Sequence, residues 1–272
     1  MRLARRRSFI APLLLLFGLA VSLAACDGSG GGRQQTESST LTVLAASSLT
    51  EAFGELEGMF EEQNPGTDVR TSFGGSSELL AQIQQGAQAD VFASADEAKM
   101  DAAVQDGLAN KPKTFARNRP VVIIPKDNPA GIGELRDLAK PGTRLVLAQD
   151  GVPIAEYAKD VLSNAGSEYG GDFEQRVMDN VVSREANVRA SANRVALGEA
   201  DGTFVYVTDV TSDISDKVQV IEIPEDLNVL ATYPIATLKE SQNPELAQEW
   251  VDLVLGDEGQ GVLEKYGFEP VS

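Results

Sequence analysis

The chain of 272 residues contains no histidine and a single cysteine. Without histidine there is no Ser-His-Asp triad, no imidazole general base and no histidine-containing zinc or non-haem iron site. With one cysteine no disulfide can form within the chain, so oxidising surroundings add nothing to its stability. Positive charge is scarce as well: 23 Lys and Arg stand against 41 Asp and Glu, a formal charge of −18. A surface of that sign is repelled by nucleic acid and by anionic lipid headgroups, which argues against a nucleic-acid partner. It also opposes anionic ligands at long range, so an anion would have to be held by local donors. Nucleotide fingerprints are missing too. There is no P-loop and no GxGxxG, and Gly74-Gly75 before Ser76 is too short to count as one.

What is present begins with an export signal. Arg2, Arg5, Arg6 and Arg7 precede a mostly apolar run from Phe9 to Ala25, short for a membrane span and ending in small residues. Leu23-Ala-Ala-Cys26 resembles the bacterial lipoprotein processing box, which implies a signal peptide over 1–25 and a lipidated Cys26. Arg6-Arg7 leaves both the general and the twin-arginine export routes open. Residues 26–40, rich in Gly, Ser and Gln, read as a flexible tether. Removal of the signal takes away those four arginines and no acid, which moves the formal charge from −18 to −22.

From Leu41 onward apolar strand-like runs alternate with helix-like periodic segments, the α/β pattern. Leu41–Ala45, Val69–Phe73, Asp90–Ser94, Val121–Ile124, Leu145–Ala148, Thr203–Val207, Val218–Ile223 and Tyr233–Leu238 read as strands. Leu49, Phe53, Leu56, Met59 and Phe60 share one face of a helix. Val152-Pro153 opens another helix, Asn187–Leu197 forms one, and Leu246–Leu255 and Gly261–Tyr266 end the chain. This gives two α/β units with the second inserted in the first, provided the last helices return to the first unit.

Two serine pairs, Ser47-Ser48 and Ser76-Ser77, fall where a strand hands over to a helix. Helix starts leave unpaired N–H groups and a partial positive charge, so two such starts with hydroxyl donors suit an oxyanion. Serine is equally an ordinary N-cap, and Ser48-Leu-Thr-Glu51 has the form of a capping box. Glu51, Glu55, Glu57, Glu61 and Glu62 read as the solvated face of one helix rather than as a catalytic carboxylate pair.

Val43–Thr50, Ser72–Ser77, Ala89–Asp96, Asn118–Val121, Pro125–Pro129, Val152-Pro153 with Tyr157–Lys159, Val205-Tyr206 and Lys265–Phe268 together resemble the substrate-binding proteins of molybdate ABC transporters. The resemblance spans Leu41–Phe268. It implies a type II periplasmic-binding-protein fold, two α/β lobes with mixed sheets joined by two crossover segments, with lobe 1 formed by 41–118 and 232–272 and lobe 2 by 119–231. It implies an extracytoplasmic receptor, lipid-anchored to the cell membrane at Cys26, that binds molybdate or tungstate, delivers it to an ABC permease, catalyses no reaction, needs no cofactor and works as a monomer. Molybdenum would be held only as its oxyanion. The implied ligand residues are Ser48 and Ser76 through hydroxyl and backbone N–H, Ile154 and Val188 through backbone N–H, and Tyr206 through its phenol. Ile154 stands where a smaller residue is expected, which a backbone contact tolerates.

Molybdate at neutral pH only accepts hydrogen bonds, so a cavity of pure donors suits it, whereas phosphate retains a proton. Sulfate also only accepts and stays open as an alternative. A ferric-iron receptor would want a tyrosinate pair, and Tyr206 has no tyrosine beside it in sequence. A secreted carboxylate-dependent hydrolase would need two acids in one cleft. Asp209, just after Tyr206, decides whether the donor-only reading holds, since a carboxylate facing the cavity would weaken it.

Overall fold

The computed structural model describes residues 39–271. The expected signal peptide over 1–25, Cys26 and the expected tether as far as residue 38 lie outside the described residues. Along the chain come β1 (Ser39–Ala46), a 3-10 turn over Ser47–Leu49, α1 (Thr50–Gln63), β2 (Thr67–Gly74), α2 (Ser76–Gln84), β3 (Val91–Ala93), α3 (Glu97–Gln105) and β4 (Lys113–Asn118). Then follow β5 (Pro120–Pro125), a 3-10 turn over Leu135–Ala139, β6 (Leu145–Ala148), α4 (Pro153–Tyr169), α5 (Phe173–Met178), β7 (Val181–Glu185), α6 (Val188–Ala196), β8 (Thr203–Tyr206), a 3-10 turn over Val207–Asp209 and β9 (Val218–Ile221). The chain ends with β10 (Ala231–Thr237), α7 (Pro244–Leu255) and α8 (Asp257–Lys265).

The first sheet has the order β2-β1-β3-β10-β4, with β1 parallel to β2 and β3 and with β10 antiparallel to β3 and β4. The second group holds an antiparallel sheet β8-β5-β9 and the parallel pair β6-β7, bridged between Leu145 and Gly202. The chain passes from one group to the other between β4 and β5 and returns between β9 and β10. The architecture is therefore two mixed α/β lobes with two crossings, the periplasmic-binding-protein arrangement.

The C-terminal helices do return to the first lobe. Trp250 of α7 is fully buried and meets Phe53 and Phe60 of α1 edge-on, each with ring centroids 5.5 Å apart. Such pairs add about 0.5–1.5 kcal/mol each to the burial of their apolar area. In the second lobe every residue of β5 is buried, which is why its run of Val and Ile lacks alternation.

Several boundaries differ from the expectation. β1 begins at Ser39, because Ser39 and Thr40 pair with Thr67 and Asp68, so the last two residues assigned to the tether belong to the sheet. β4 and β7 escape sequence reading: β4 is largely polar, and β7 pairs on one side only, with no residue fully buried. In β10 the register shifts between Tyr233 and Pro234, as expected where proline removes a ladder donor.

Candidate functional site

β1 and β2 are parallel and in register, Ala46 beside Gly74, so their carboxyl ends are level and the turns that follow lie side by side. Ser48 sits in the 3-10 turn before α1, and Ser76 is the first residue of α2 after Gly75. From the second lobe come the starts of α4 and α6 and the end of β8. Ser48, Ser76, Ile154, Val188 and Tyr206 all line one cavity between the lobes, with Ala46, Gly74 and Pro153 among its other walls. Its free volume is about 10 Å³, room for about one water molecule.

The donors at this cavity are backbone groups left over by helix geometry together with the hydroxyls of Ser48, Ser76 and Tyr206, with Ser47 also on its wall. Neither α2 nor α4 has a side-chain cap on its first turn. At α6 the Asn187 side chain accepts from Ala190 N, three residues in, and leaves the Val188 N–H without a protein acceptor among the described residues. The N–H groups of Ser76 and Ile154 are in the same position, as first-turn amides must be.

The hydroxyls differ in their surroundings. Ser76 Oγ accepts from the Ala95 N–H at 3.0 Å, so its own proton is free to point into the cavity. Ser48 Oγ lies 2.9 Å from the Tyr233 hydroxyl. The Tyr206 hydroxyl is buried and has no partner among the described residues. Burial pushes the Tyr206 phenol well above its ordinary range, with Tyr233, Tyr157 and Asp209 adding to the effect, so it stays protonated and able to donate.

Two expectations need correction. The capping box from Ser48 to Glu51 does not form: the start of α1 has no side-chain cap, and Ser48 is turned to Tyr233 instead. The α1 carboxylates are not simply solvated. Glu51 pairs with Arg189 of α6, Nη1 to Oε1 at 3.0 Å. Glu55 accepts from Lys265 and from Tyr266, and Glu61 from the Val69 N–H. Tyr206, isolated in sequence, has two tyrosines near it in space, Tyr233 at 5.7 Å and Tyr157 at 6.3 Å between ring centroids. Their hydroxyls serve different partners, Ser48 for Tyr233 and the Thr232 N–H for Tyr157, so they do not form a tyrosinate pair.

Asp209 is fully buried but turned away from the cavity. Its Oδ2 accepts from the Tyr206 N–H at 2.9 Å, and its Oδ1 makes an ion contact with Arg189 Nε at 2.8 Å. Burial pushes its carboxyl up to about 6, against the pull of Arg189. No carboxylate lines the cavity. The lobes also touch directly around it: Ser77 Oγ donates to the Gly151 carbonyl, and Gly75 packs so close to Ala186 that a Cβ would lie 2.6 Å from its carbonyl oxygen. Tyr233 and Arg189 carry no local signal of a site role in the sequence. For Gly75 the paired glycines at a strand end were a usable signal.

The sequence pattern of the bacterial extracellular solute-binding proteins matches residues 41–269. The molybdate-binding protein ModA of Mycobacterium tuberculosis is 36% identical over 260 residues, covering 95% of each chain. Among solved structures, the periplasmic molybdate-binding protein of Azotobacter vinelandii superposes with a TM-score of 0.72 at 21% identity, over 85% of this chain and all of that one. The sulfate-binding protein SubI of Mycobacterium tuberculosis superposes with a TM-score of 0.76 at 19% identity, over 86% of this chain and 88% of that one. At these identities the two structures bear on the fold alone.

Proposed function

The chain belongs to the bacterial extracellular solute-binding protein family, and from that premise we propose that it captures molybdate or tungstate in the cavity between its lobes and delivers it to an ABC permease. The observation that carries this reading is a cavity bounded by donors from both lobes and by no carboxylate. A dianion that only accepts hydrogen bonds satisfies every one of those donors at once. In this reading Ser48 and Ser76 donate from hydroxyl and backbone, Ile154 and Val188 from backbone, and Tyr206 from its phenol. The relative from Mycobacterium tuberculosis, named for molybdate, supports the choice of ligand.

The protein performs no reaction and needs no cofactor in this proposal. Closure of the lobes traps the anion, and the closed form is the one presented to the permease. The receptor is a monomer held to the cell membrane by a lipid on Cys26, since the net charge of −22 left after removal of the four signal arginines gives it no affinity of its own for an anionic bilayer.

Titration calorimetry with molybdate, tungstate, sulfate and phosphate tests the assignment. Tight binding of molybdate and tungstate, weaker binding of sulfate and the weakest binding for hydrogen phosphate is expected. Sulfate also only accepts hydrogen bonds, and tight sulfate binding without molybdate binding overturns the choice of ligand while leaving the oxyanion site intact.

A further inference from the structure

Ser48 faces the cavity with a hydroxyl that either gives or takes a proton, and the direction is set behind it. Asn118, at the end of β4, is fully buried. Its Oδ1 accepts from the Arg119 N–H at 2.9 Å, which fixes the amide orientation and turns the NH2 end inward. That Nδ2 donates to Thr208 Oγ1 at 2.8 Å and approaches the Tyr233 hydroxyl at 3.4 Å. The Tyr233 hydroxyl, accepting a hydrogen bond from Asn118, has one proton of its own to place. Its other partner is Ser48 Oγ at 2.9 Å. Burial holds the Tyr233 phenol far above its ordinary range, so that proton is always present.

We infer that Tyr233, oriented by Asn118, donates to Ser48 and so prevents Ser48 from spending its own proton inside the protein, which makes Tyr233 a positioning residue for selection of fully deprotonated oxyanions. If the bond ran the other way, Ser48 would give its proton to Tyr233 and show the cavity only lone pairs. An anion would then be repelled, and a protonated oxyanion such as hydrogen phosphate would find an acceptor for its O–H. With the direction fixed, Ser48 presents a donor, and a ligand that carries a proton has nowhere to put it. Ser76 is held in the same sense by the Ala95 N–H, a backbone donor that no substitution of Ala95 by another non-proline residue removes. Tyr233 and Asn118 lie on the strands β10 and β4 beside the two crossings, and Thr208 lies in the second lobe, so the relay joins both lobes to the first-lobe donor.

The inference rests on the oxyanion reading, and the test separates the two. Molybdate and hydrogen phosphate are titrated calorimetrically into the unaltered mature protein, Tyr233→Phe and Asn118→Leu, with circular dichroism as the check on folding. In Tyr233→Phe the hydroxyl of Ser48 turns freely. Molybdate affinity is expected to fall by about tenfold while that for hydrogen phosphate holds or rises, so the ratio between them drops by at least about tenfold. Asn118→Leu is expected to shift the ratio in the same direction by a smaller factor, because Tyr233 keeps its proton but loses the donor that aims it. Parallel losses for both anions in Tyr233→Phe, or no change in either, overturn the relay alone. An unaltered protein that binds no oxyanion overturns the proposed function and the relay with it.

Discussion

The two halves of the cavity are built on different terms. On the first lobe, Ser48 and Ser76 each have a protein partner before any ligand arrives, Tyr233 for one and the Ala95 N–H for the other. On the second lobe, the Ile154 and Val188 amides and the Tyr206 hydroxyl have no partner among the described residues. The first-lobe hydroxyls are thus set in advance, in the sense that their protons are aimed by the protein, while the Ser76 N–H is left unpartnered among the described residues like the second-lobe amides. The second half is unsatisfied, and a buried hydroxyl without a partner costs about 1–3 kcal/mol. That cost is recovered only when an acceptor fills the cavity, so the second lobe gains most from closing on a ligand.

The largest effect should follow from breaking the preset half. Each lost donor to a desolvated charge costs about 1.5–3 kcal/mol, so Ser48→Ala with Ser76→Ala is expected to weaken molybdate binding by about two to four orders of magnitude. Calorimetry on the folded double variant measures this, and a loss under tenfold would place the ligand away from the first-lobe serines.

Next comes the contact between the halves. Gly75 has φ −67°, which any residue adopts, so Gly75→Ala introduces no backbone strain. The added Cβ would nevertheless sit 2.6 Å from the Ala186 carbonyl oxygen, and that oxygen belongs to the other lobe. The variant should fold, hold its lobes apart and bind molybdate about ten- to a hundredfold more weakly, because the second-lobe donors no longer reach the anion. Small-angle scattering with and without molybdate reports the spacing. Unchanged compaction on adding ligand would show that the clash is relieved locally.

How much of this was legible in the sequence follows the same division. The helix starts that hold Ser76, Ile154 and Val188 are readable because each is marked locally, by Gly75, Pro153 and Asn187 in turn, while Ser48 follows directly on the apolar run of β1. The alternation of strands and helices gave the α/β class for the same reason. β4 was missed because its residues are mostly polar and its pairing partner, β10, lies more than a hundred positions away. The local string Ser48-Leu-Thr-Glu51 fits a helix cap as well as an oxyanion donor, so the sequence leaves the protein partner of the Ser48 hydroxyl open. Its actual partner, Tyr233, is separated from it by 185 positions, and no local pattern announces a contact of that range. Likewise Glu51 looked solvated until α6 was brought against α1 and set Arg189 beside it.

The smallest effect discriminates most sharply between the two halves. Tyr206→Phe removes a hydroxyl that is buried and unpartnered among the described residues, so the free protein should gain on the order of 1 kcal/mol in stability, since a desolvated group without a partner disappears. The same change should cost about tenfold in molybdate affinity, since that hydroxyl is a donor only the ligand satisfies. Stability and affinity therefore move in opposite directions, which a tyrosine serving the core cannot produce: there the hydroxyl would be bonded within the protein, and its removal would lower stability and leave affinity alone. Thermal unfolding of the ligand-free variant beside its calorimetric titration reads both signs. A destabilised variant with unchanged affinity would move Tyr206 out of the unsatisfied half and leave the two backbone amides to close the cavity.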